Sequence, residues 1–295
     1  MNKAVIDLGT NTFNLIIAEV KAGQILPKFT TKEGVALGMG GINDGFIHAD
    51  AIERAVNCLL RFKKHCDEWN VQAISAIGTS AIRDAKNGLA FQELIHEKTG
   101  ILIEIIDGLR EAELIYKGIA YTYSFDKRSV IMDIGGGSTE FIIATKAGME
   151  KAISLNIGVS RIFQLFTFQD PLSPEDIASI EDYLERESKD FFNQHQVDVM
   201  VGASGSFETF YELTHATAYP PGFETQCIPF DEFMQTLEGI IVSTQVQRDE
   251  NPFIIPIRKK MAPIAAVKTR WVVRKLGVKE LVISPCSLKE GALLR

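Results

Sequence analysis

Two stretches of this 295-residue chain, 126 positions apart, carry one pattern. "AVIDLGTNTFNLIIA" from Ala4 overlays "VIMDIGGGSTEFIIA" from Val130, so that Asp7 falls on Asp133, Gly9 on Gly135 and Thr12 on Ser138. Ile16, Ile17 and Ala18 then fall on Ile142, Ile143 and Ala144. Each copy reads as an apolar, β-branched strand, a tight turn of Gly with Ser, Thr or Asn, and a second apolar strand. The repeat is too widely spaced for a solenoid and predicts two domains of one design.

The intervening sequence predicts α/β layering, because apolar runs alternate with helical periodicity. Ile52, Val56, Leu59, Leu60 and Phe62 make an apolar stripe along Ala51 to Trp69. A helix closing at Gly100, a strand "ILIEII" and a helix "LREAELIYKGIAY" follow. In the second half, Ser173 and Pro174 open a helix predicted to run to Phe192. "RKKMAPIAAVKTRWVVRKL" reads as a helix in spite of Pro263, followed by a strand "KELVIS" and a short terminal helix "SLKEGALL". The polar "YTYSFDK" at Tyr121 to Lys127 places the break between domains 1–123 and 124–295, with the terminal helix free to pack back on the first.

Three turns share a chemistry: "DLGTNT" at Asp7, "DIGGGST" at Asp133 and "GASGS" at Gly202. Each follows an apolar strand, and glycine lets backbone N–H groups converge on an anion while hydroxyls add donors. Three glycines in a row are costly to order. A tight turn, a packed neighbour or a ligand would each justify them. No Walker loop occurs, and "GASGS" lacks the second glycine of a nucleophile elbow. Asp7 and Asp133 at strand ends also fit Asx turns. As a pair facing each other across a cleft, with Glu140 on the strand beyond, they suit Mg²⁺, which takes one or two carboxylates and fills its shell with water and phosphate oxygens.

Net charge is −7, which argues against a nucleic-acid polymer as partner. From Pro256 to Arg295, however, ten Lys/Arg oppose two Glu, and the face carrying Lys268, Arg270, Arg274 and Lys275 is a candidate guide for a polyanion as well as a solvated helix face. Cys58, Cys66, Cys227 and Cys286 form no C-x-x-C pair and read as reduced thiols. No apolar run is long enough for a bilayer. The first residues read as a strand rather than a leader, so the expected compartment is the cytoplasm, with no membrane partner.

"DLGTNTFNLII", "IGTSAIRDAKN", "IIDGLREAELIYKGI", "MDIGGGSTEFII" and "GASGSFETF" stand in an order that resembles the exopolyphosphatase / guanosine pentaphosphate phosphatase family, a branch of the actin, Hsp70 and sugar kinase superfamily. The resemblance covers essentially the whole chain. It implies two ribonuclease-H-like (actin-like) domains flanking a central cleft. It also implies Mg²⁺-dependent hydrolysis of a terminal phosphoanhydride of inorganic polyphosphate or guanosine pentaphosphate.

Carried over by residue, the resemblance implies Glu111 and Glu140 as catalytic acids and Asp7, Asp133 and Glu140 as the metal site. The phosphate grip would comprise Gly9, Thr10, Asn11, Thr12, Arg83, Gly135, Gly136, Gly137, Ser138, Thr139, Gly205 and Ser206. Arg110 replaces the first glutamate of the family's Glu-Glu-Ala motif, which puts the neighbourhood of Glu111 in question. Glu111 on sequence alone also fits a solvated helix face, and Arg83 a surface pairing with Asp84 or Asp107. An ATP-using kinase or ATPase, with Phe207 and Phe210 near a base, and a nucleotide-sensing or actin-like assembly protein are the other readings. Pairing of two chains into a homodimer is left open.

Overall fold

The computed structural model describes residues 1–188, 190–193 and 195–295. Lobe I begins with β1 (Asn2–Leu8), β2 (Thr12–Lys21) and β3 (Gln24–Gly34), then α1 (Ala49–Glu68), β4 (Ala73–Gly78) and the single turn α2 (Ser80–Arg83). It closes with α3 (Gly88–Thr99), β5 (Ile103–Ile105) and α4 (Gly108–Ala120). Lobe II opens with β6 (Ser129–Ile134), β7 (Thr139–Thr145), β8 (Gly148–Leu155), α5 (Val159–Leu165) and α6 (Pro174–Ser188). There follow β9 (Val199–Ala203), α7 (Gly205–His215), β10 (Gln226–Ile228), α8 (Phe230–Ile241) and α9 (Gln245–Glu250). A 3₁₀ turn at Pro256–Arg258 leads to α10 (Ala262–Leu276), β11 (Glu280–Ile283) and α11 (Leu288–Leu293).

The repeat seen in the sequence is a repeat in space. One sheet has the order β3-β2-β1-β4-β5 and the other β8-β7-β6-β9-β11-β10. In both, a three-stranded antiparallel meander continues into parallel strands. Even the irregularity is shared, because the register slips between Ile17 and Ala18 and again between Ile143 and Ala144. The expected pair of α/β, ribonuclease-H-like domains flanking a cleft is therefore present.

Apolar residues form three layers. One core lies between the lobe I sheet and α1 and α3, with Phe13, Leu37, Phe62 and Phe91 at its centre. A second packs α6, α7, α8 and α10 on the outer face of the lobe II sheet. The third lies between the sheets and joins Val5, Ile16 and Ile77 of one to Ile131, Ile142 and Val201 of the other through Ile115 and Ile119 of α4 and Leu288 and Leu293 of α11. The terminal helix thus returns to α4, and the chain between α4 and β6 is the turn and coil at 121–128. The two helices meet at glycines: a side chain on Gly118 would overlap the Ser287 carbonyl, and one on Gly291 the Leu114 carbonyl.

Several boundaries differ from expectation. α6 ends at Ser188 rather than Phe192, although its start is capped as predicted: Ser173 Oγ accepts from Asp176 N–H, and Asp176 accepts from Ser173 N–H. Pro263 lies in the first turn of α10, so the helix begins there instead of running through it, as the missing N–H of proline requires. β3, β8, β10, α5, α8 and α9 have no counterpart in the sequence reading. All four cysteines are free thiols, and only Cys227 is exposed. Among the described residues no helix is long and apolar enough to cross a membrane.

The α4–α11 crossing gives a direct test. Gly291→Ala places a methyl against a main-chain carbonyl that cannot move aside without parting the helices. The expected cost is about 1–3 kcal/mol, the usual range for overpacking, read as a lower urea midpoint.

Candidate active site

The C-terminal ends of β1 and β6, the start of α4, the β9–α7 turn and the start of α11 enclose one cavity of about 870 Å³ between the lobes. Gly9, Thr10, Asn11, Thr12, Gly135, Gly136, Gly137, Ser138, Gly205 and Ser206 all line it. The three turns therefore converge. Two of them also touch. A Cβ on Gly136 would lie 2.9 Å from the Asn11 side chain, and one on Gly137 2.5 Å from Ser80 Oγ and 2.7 Å from Thr10 Oγ1. The packed neighbour accounts for these two glycines, and the cavity opens beside their contact.

Strand pairing places the acids. Asp133 stands directly across from Glu140 in the β6–β7 register, and Asp7 across from Asn14 in the equivalent β1–β2 register. Glu111 reaches the cavity from the first turn of α4, which Asp107 caps by accepting from Arg110 N–H at 2.8 Å. Each acid has a local donor. Asn14 gives one to Asp7 at 3.1 Å, Ser287 to Asp133 at 2.5 Å, Ser154 to Glu140 at 2.6 Å and Arg83 to Glu111 at 2.9 Å.

Burial outweighs these donors. It raises Asp7 to about 6 and, with the charge of Asp133, Glu140 to about 7. Desolvation also raises Asp133, and desolvation with the charge of Glu140 holds Glu111 well above the carboxylate range against the pull of Arg83.

The flanking cations resolve other expectations. Arg83 donates to Glu111, to Asp84 at 3.3 Å and to the Ile106 carbonyl, so its planar fork is engaged by protein acceptors and it does not line the cavity. Arg110 pairs with Glu113 at 2.7 Å on the outer face of α4, away from Glu111. Thr139 is fully buried behind its turn, where its hydroxyl accepts from Lys268 at 2.7 Å, so it adds no donor to the cavity.

The basic face on α10 is not a free surface. Lys268 is enclosed and also holds the Ile157 carbonyl, Arg270 pairs with Glu181 and Glu238, Arg274 with Glu238, and Lys275 with Glu185. Helical spacing put these four together, but acidic residues of α6 and α8 already neutralise three of them.

Arg258, which no motif marks, does face the cavity. Its guanidinium lies over Gly205 and donates to Thr209 Oγ1 at 3.0 Å, and among the described residues it has no ion-pair partner. Burial pulls its pKa down even with Glu208 and Glu212 near. A half-buried cation with no ion-pair partner among the described residues, beside a Gly-Ser turn, is suited to an anion. Lys32 and Lys289 also line the cavity, paired with Glu208 at 3.2 Å and Glu290 at 3.0 Å. Phe207 packs over Gly202 in the lobe II core, so the two phenylalanines of α7 do not present a stacking pair.

Among the described residues no three His, Cys, Asp or Glu side chains are gathered as a ready metal-binding set. Asp7, Asp133 and Glu140 are thus not a preformed cage. Buried acids of like charge lining the cavity nonetheless fit a hard divalent cation held by one or two carboxylates, with other ligands from water and substrate oxygens.

The sequence profile of the Ppx/GppA phosphatase family matches residues 16–295. An exopolyphosphatase from Cytophaga hutchinsonii superimposes with a TM-score of 0.95 at 31% identity, covering 99% of this chain and 96% of that one. A Ppx/GppA family member from Aquifex aeolicus gives a TM-score of 0.82 at 26% identity, covering 100% and 96%. A bifunctional 3-dehydroquinate synthase/phosphatase from Fusobacterium nucleatum is 33% identical over 220 residues, which are 70% of this chain. The aligned part is 33% of that protein, so the chain spans about a third of the length of the curated relative it matches.

The crowded acids predict a pH signature. A carboxyl near 7 when folded and near 4.5 when unfolded keeps its proton in the fold, so without divalent cations stability falls as pH rises from about 5 to about 7.5. Glu140→Gln removes one charge and should flatten that fall, leaving the variant roughly 1–3 kcal/mol more stable than wild type at pH 8 and little changed at pH 5, by urea unfolding.

Proposed function

As the chain belongs to the Ppx/GppA phosphatase family, we propose that it hydrolyses a terminal phosphoanhydride and releases orthophosphate. The observation that carries this reading is the position of Glu111: a buried carboxylate, fixed by Arg83, on the same cavity as three Gly-hydroxyl turns. A phosphoanhydride has a good leaving group, so catalysis amounts to holding the chain end, neutralising charge and aiming water in line.

The backbone N–H groups and hydroxyls at Thr10 to Thr12, Gly135 to Ser138 and Gly205 to Ser206 grip successive phosphates, and Arg258 pairs with one of them. Glu111 takes a proton from the attacking water as its oxygen bonds to the terminal phosphorus. The bridging P–O bond breaks, and the departing phosphate oxygen keeps the electron pair. Desolvation and the charge of Glu140 raise the pKa of Glu111, which makes its carboxylate a stronger proton acceptor than an exposed one. Asp133 and Glu140 are the residues that would hold Mg²⁺, which supplies positive charge to phosphoryl oxygens when bound.

The cavity has two characters. Part of its wall is apolar, built by Ile25, Pro27, Pro220, Pro221 and Phe223. Inorganic polyphosphate has nothing to place there, whereas the base and ribose of guanosine pentaphosphate do. That wall favours the nucleotide as substrate, and the polar end serves either.

Three measurements test the reading. Glu111→Gln should lower kcat by about 10²–10⁴-fold with substrate still bound, the range for loss of a general base. Chelation of divalent cations should abolish phosphate release, and added Mg²⁺ should restore it. In a side-by-side assay, Phe223→Ser should raise KM for guanosine pentaphosphate while leaving that for polyphosphate unchanged. Equal effects on both would remove the apolar wall from substrate choice.

A further inference from the structure

Arg161 lies on α5 of lobe II, remote in sequence from the turns that line the cavity, yet it makes three directed contacts. Its Nε donates to the Gly137 carbonyl at 3.1 Å, its Nη1 to the Ile42 carbonyl at 3.2 Å and its Nη2 to Asp84 Oδ2 at 2.9 Å. The first acceptor belongs to the triple-glycine turn of its own lobe, and the other two belong to lobe I.

Neighbours on α5 reach across in the same way. Ser160 donates to Asn11 Oδ1 at 2.5 Å, and Gln164 both accepts from Gly40 N–H at 2.7 Å and donates to the Gly38 carbonyl at 3.2 Å. Asn43 donates to the Arg161 carbonyl at 3.1 Å. One short helix therefore holds the 38–43 segment and Asp84 against the glycine turn.

Asp84 is the junction. Its Oδ1 accepts from Arg83 Nε at 3.3 Å, while its Oδ2 accepts from Arg161 and from Ser80 Oγ. Arg83 in turn donates to Glu111 Oε2 at 2.9 Å. Charges alternate along Arg161, Asp84, Arg83 and Glu111, from one lobe to the reacting carboxylate of the other. The bond from Arg83 to Asp84 is longer than that to Glu111, as expected where Asp84 is shared between two guanidinium groups.

We propose that Arg161 is a positioning residue that couples closure of the lobes to alignment of Glu111. With Arg161 in place, Asp84 is neutralised from lobe II and Arg83 is left to hold Glu111. With Arg161 withdrawn, the whole charge of Asp84 acts on Arg83 and draws its guanidinium away from Glu111. The base is thus aligned only when α5 has docked and the glycine turn is seated. The inference rests on the phosphohydrolase reading for its kinetic test, but the docking itself does not.

The test combines kinetics with hydrogen exchange. Arg161→Ala should lower kcat about 10- to 100-fold, the penalty of a small misplacement of a reacting group, with KM changed much less. Arg161→Lys, which keeps the charge but not the three-way fork, should fall between. The decisive variant is Arg161→Ala with Asp84→Asn. Removing the stranded acid frees Arg83 for Glu111, so the double variant should be more active than Arg161→Ala alone. A part that was merely structural would give a double variant as impaired or worse, and that result, or wild-type kcat in Arg161→Ala, overturns the proposal.

Hydrogen exchange reads the latch without substrate. Amides at 38–46 and in the first turn of α4 should lose protection in Arg161→Ala while the lobe II core does not, and unchanged protection at 38–46 overturns the coupling. A wild-type protein that cleaves no phosphoanhydride would sink the functional reading, whereas the exchange result would still decide the latch.

Discussion

Four carboxylates held in one desolvated space are the costly interaction around which this molecule is arranged. Asp7, Glu111, Asp133 and Glu140 each lose water, and Glu111 and Glu140 also feel a neighbour of like charge. No single donor offsets that. Compensation is spread over the fold, where an amide from β2, a hydroxyl from β8, a hydroxyl from the start of α11 and a guanidinium from α2 each satisfy one acid. The donors come from both lobes and from the last helix of the chain, so the site exists only when the whole polypeptide is folded. The apolar layers on either side and between the sheets provide the favourable burial that tolerates it.

The duplication explains both the likeness and the difference of the two halves. A strand–turn–strand unit places the residue at the end of its first strand directly across from one near the start of its second. In lobe I that pair is Asp7 and Asn14, an acid with its own donor. In lobe II it is Asp133 and Glu140, two acids with none between them. The same backbone therefore sets an acid across from an amide in one lobe and an acid across from an acid in the other. Such a pair of acids can accept a cation or a proton, and functional chemistry concentrates where pKa values are displaced.

What the sequence made legible follows the range of the forces involved. The hairpins could be read because strand alternation and turn residues are local, whereas Glu111 was placed only by the family resemblance, since its helical position alone also fitted a solvated face. The expected phosphate-binding glycines do reach the cavity, but the tight fit of Gly136 and Gly137 against Asn11, Thr10 and Ser80 is a long-range fact. Arg258 was invisible for the same reason: it stands on a 3₁₀ turn and meets Gly205 only through the fold. The basic run on α10 misled because helical spacing reports which residues share a face, not what faces them, and Glu181, Glu185 and Glu238 were out of view. β3 and β8 escaped because few of their residues are buried and exposed Leu26 and Met149 break the alternation.

The placement of α4 ties these points together. Its apolar face belongs to the layer between the two sheets, it crosses α11 through a glycine pair, and its first turn lies against Ser154 of β8, where a side chain on Gly108 would strike that residue. Glu111 is thus mounted on the lobe I helix that packs between the two sheets. A base enclosed within either lobe alone would ride with it and keep its position whatever the other lobe did. Mounted between them, it is sensitive to both, and small relative displacements change its distance to Arg83 on one side and to Glu140 on the other. That geometry makes the alignment of the carboxylate a property of the closed pair of lobes rather than of any one motif.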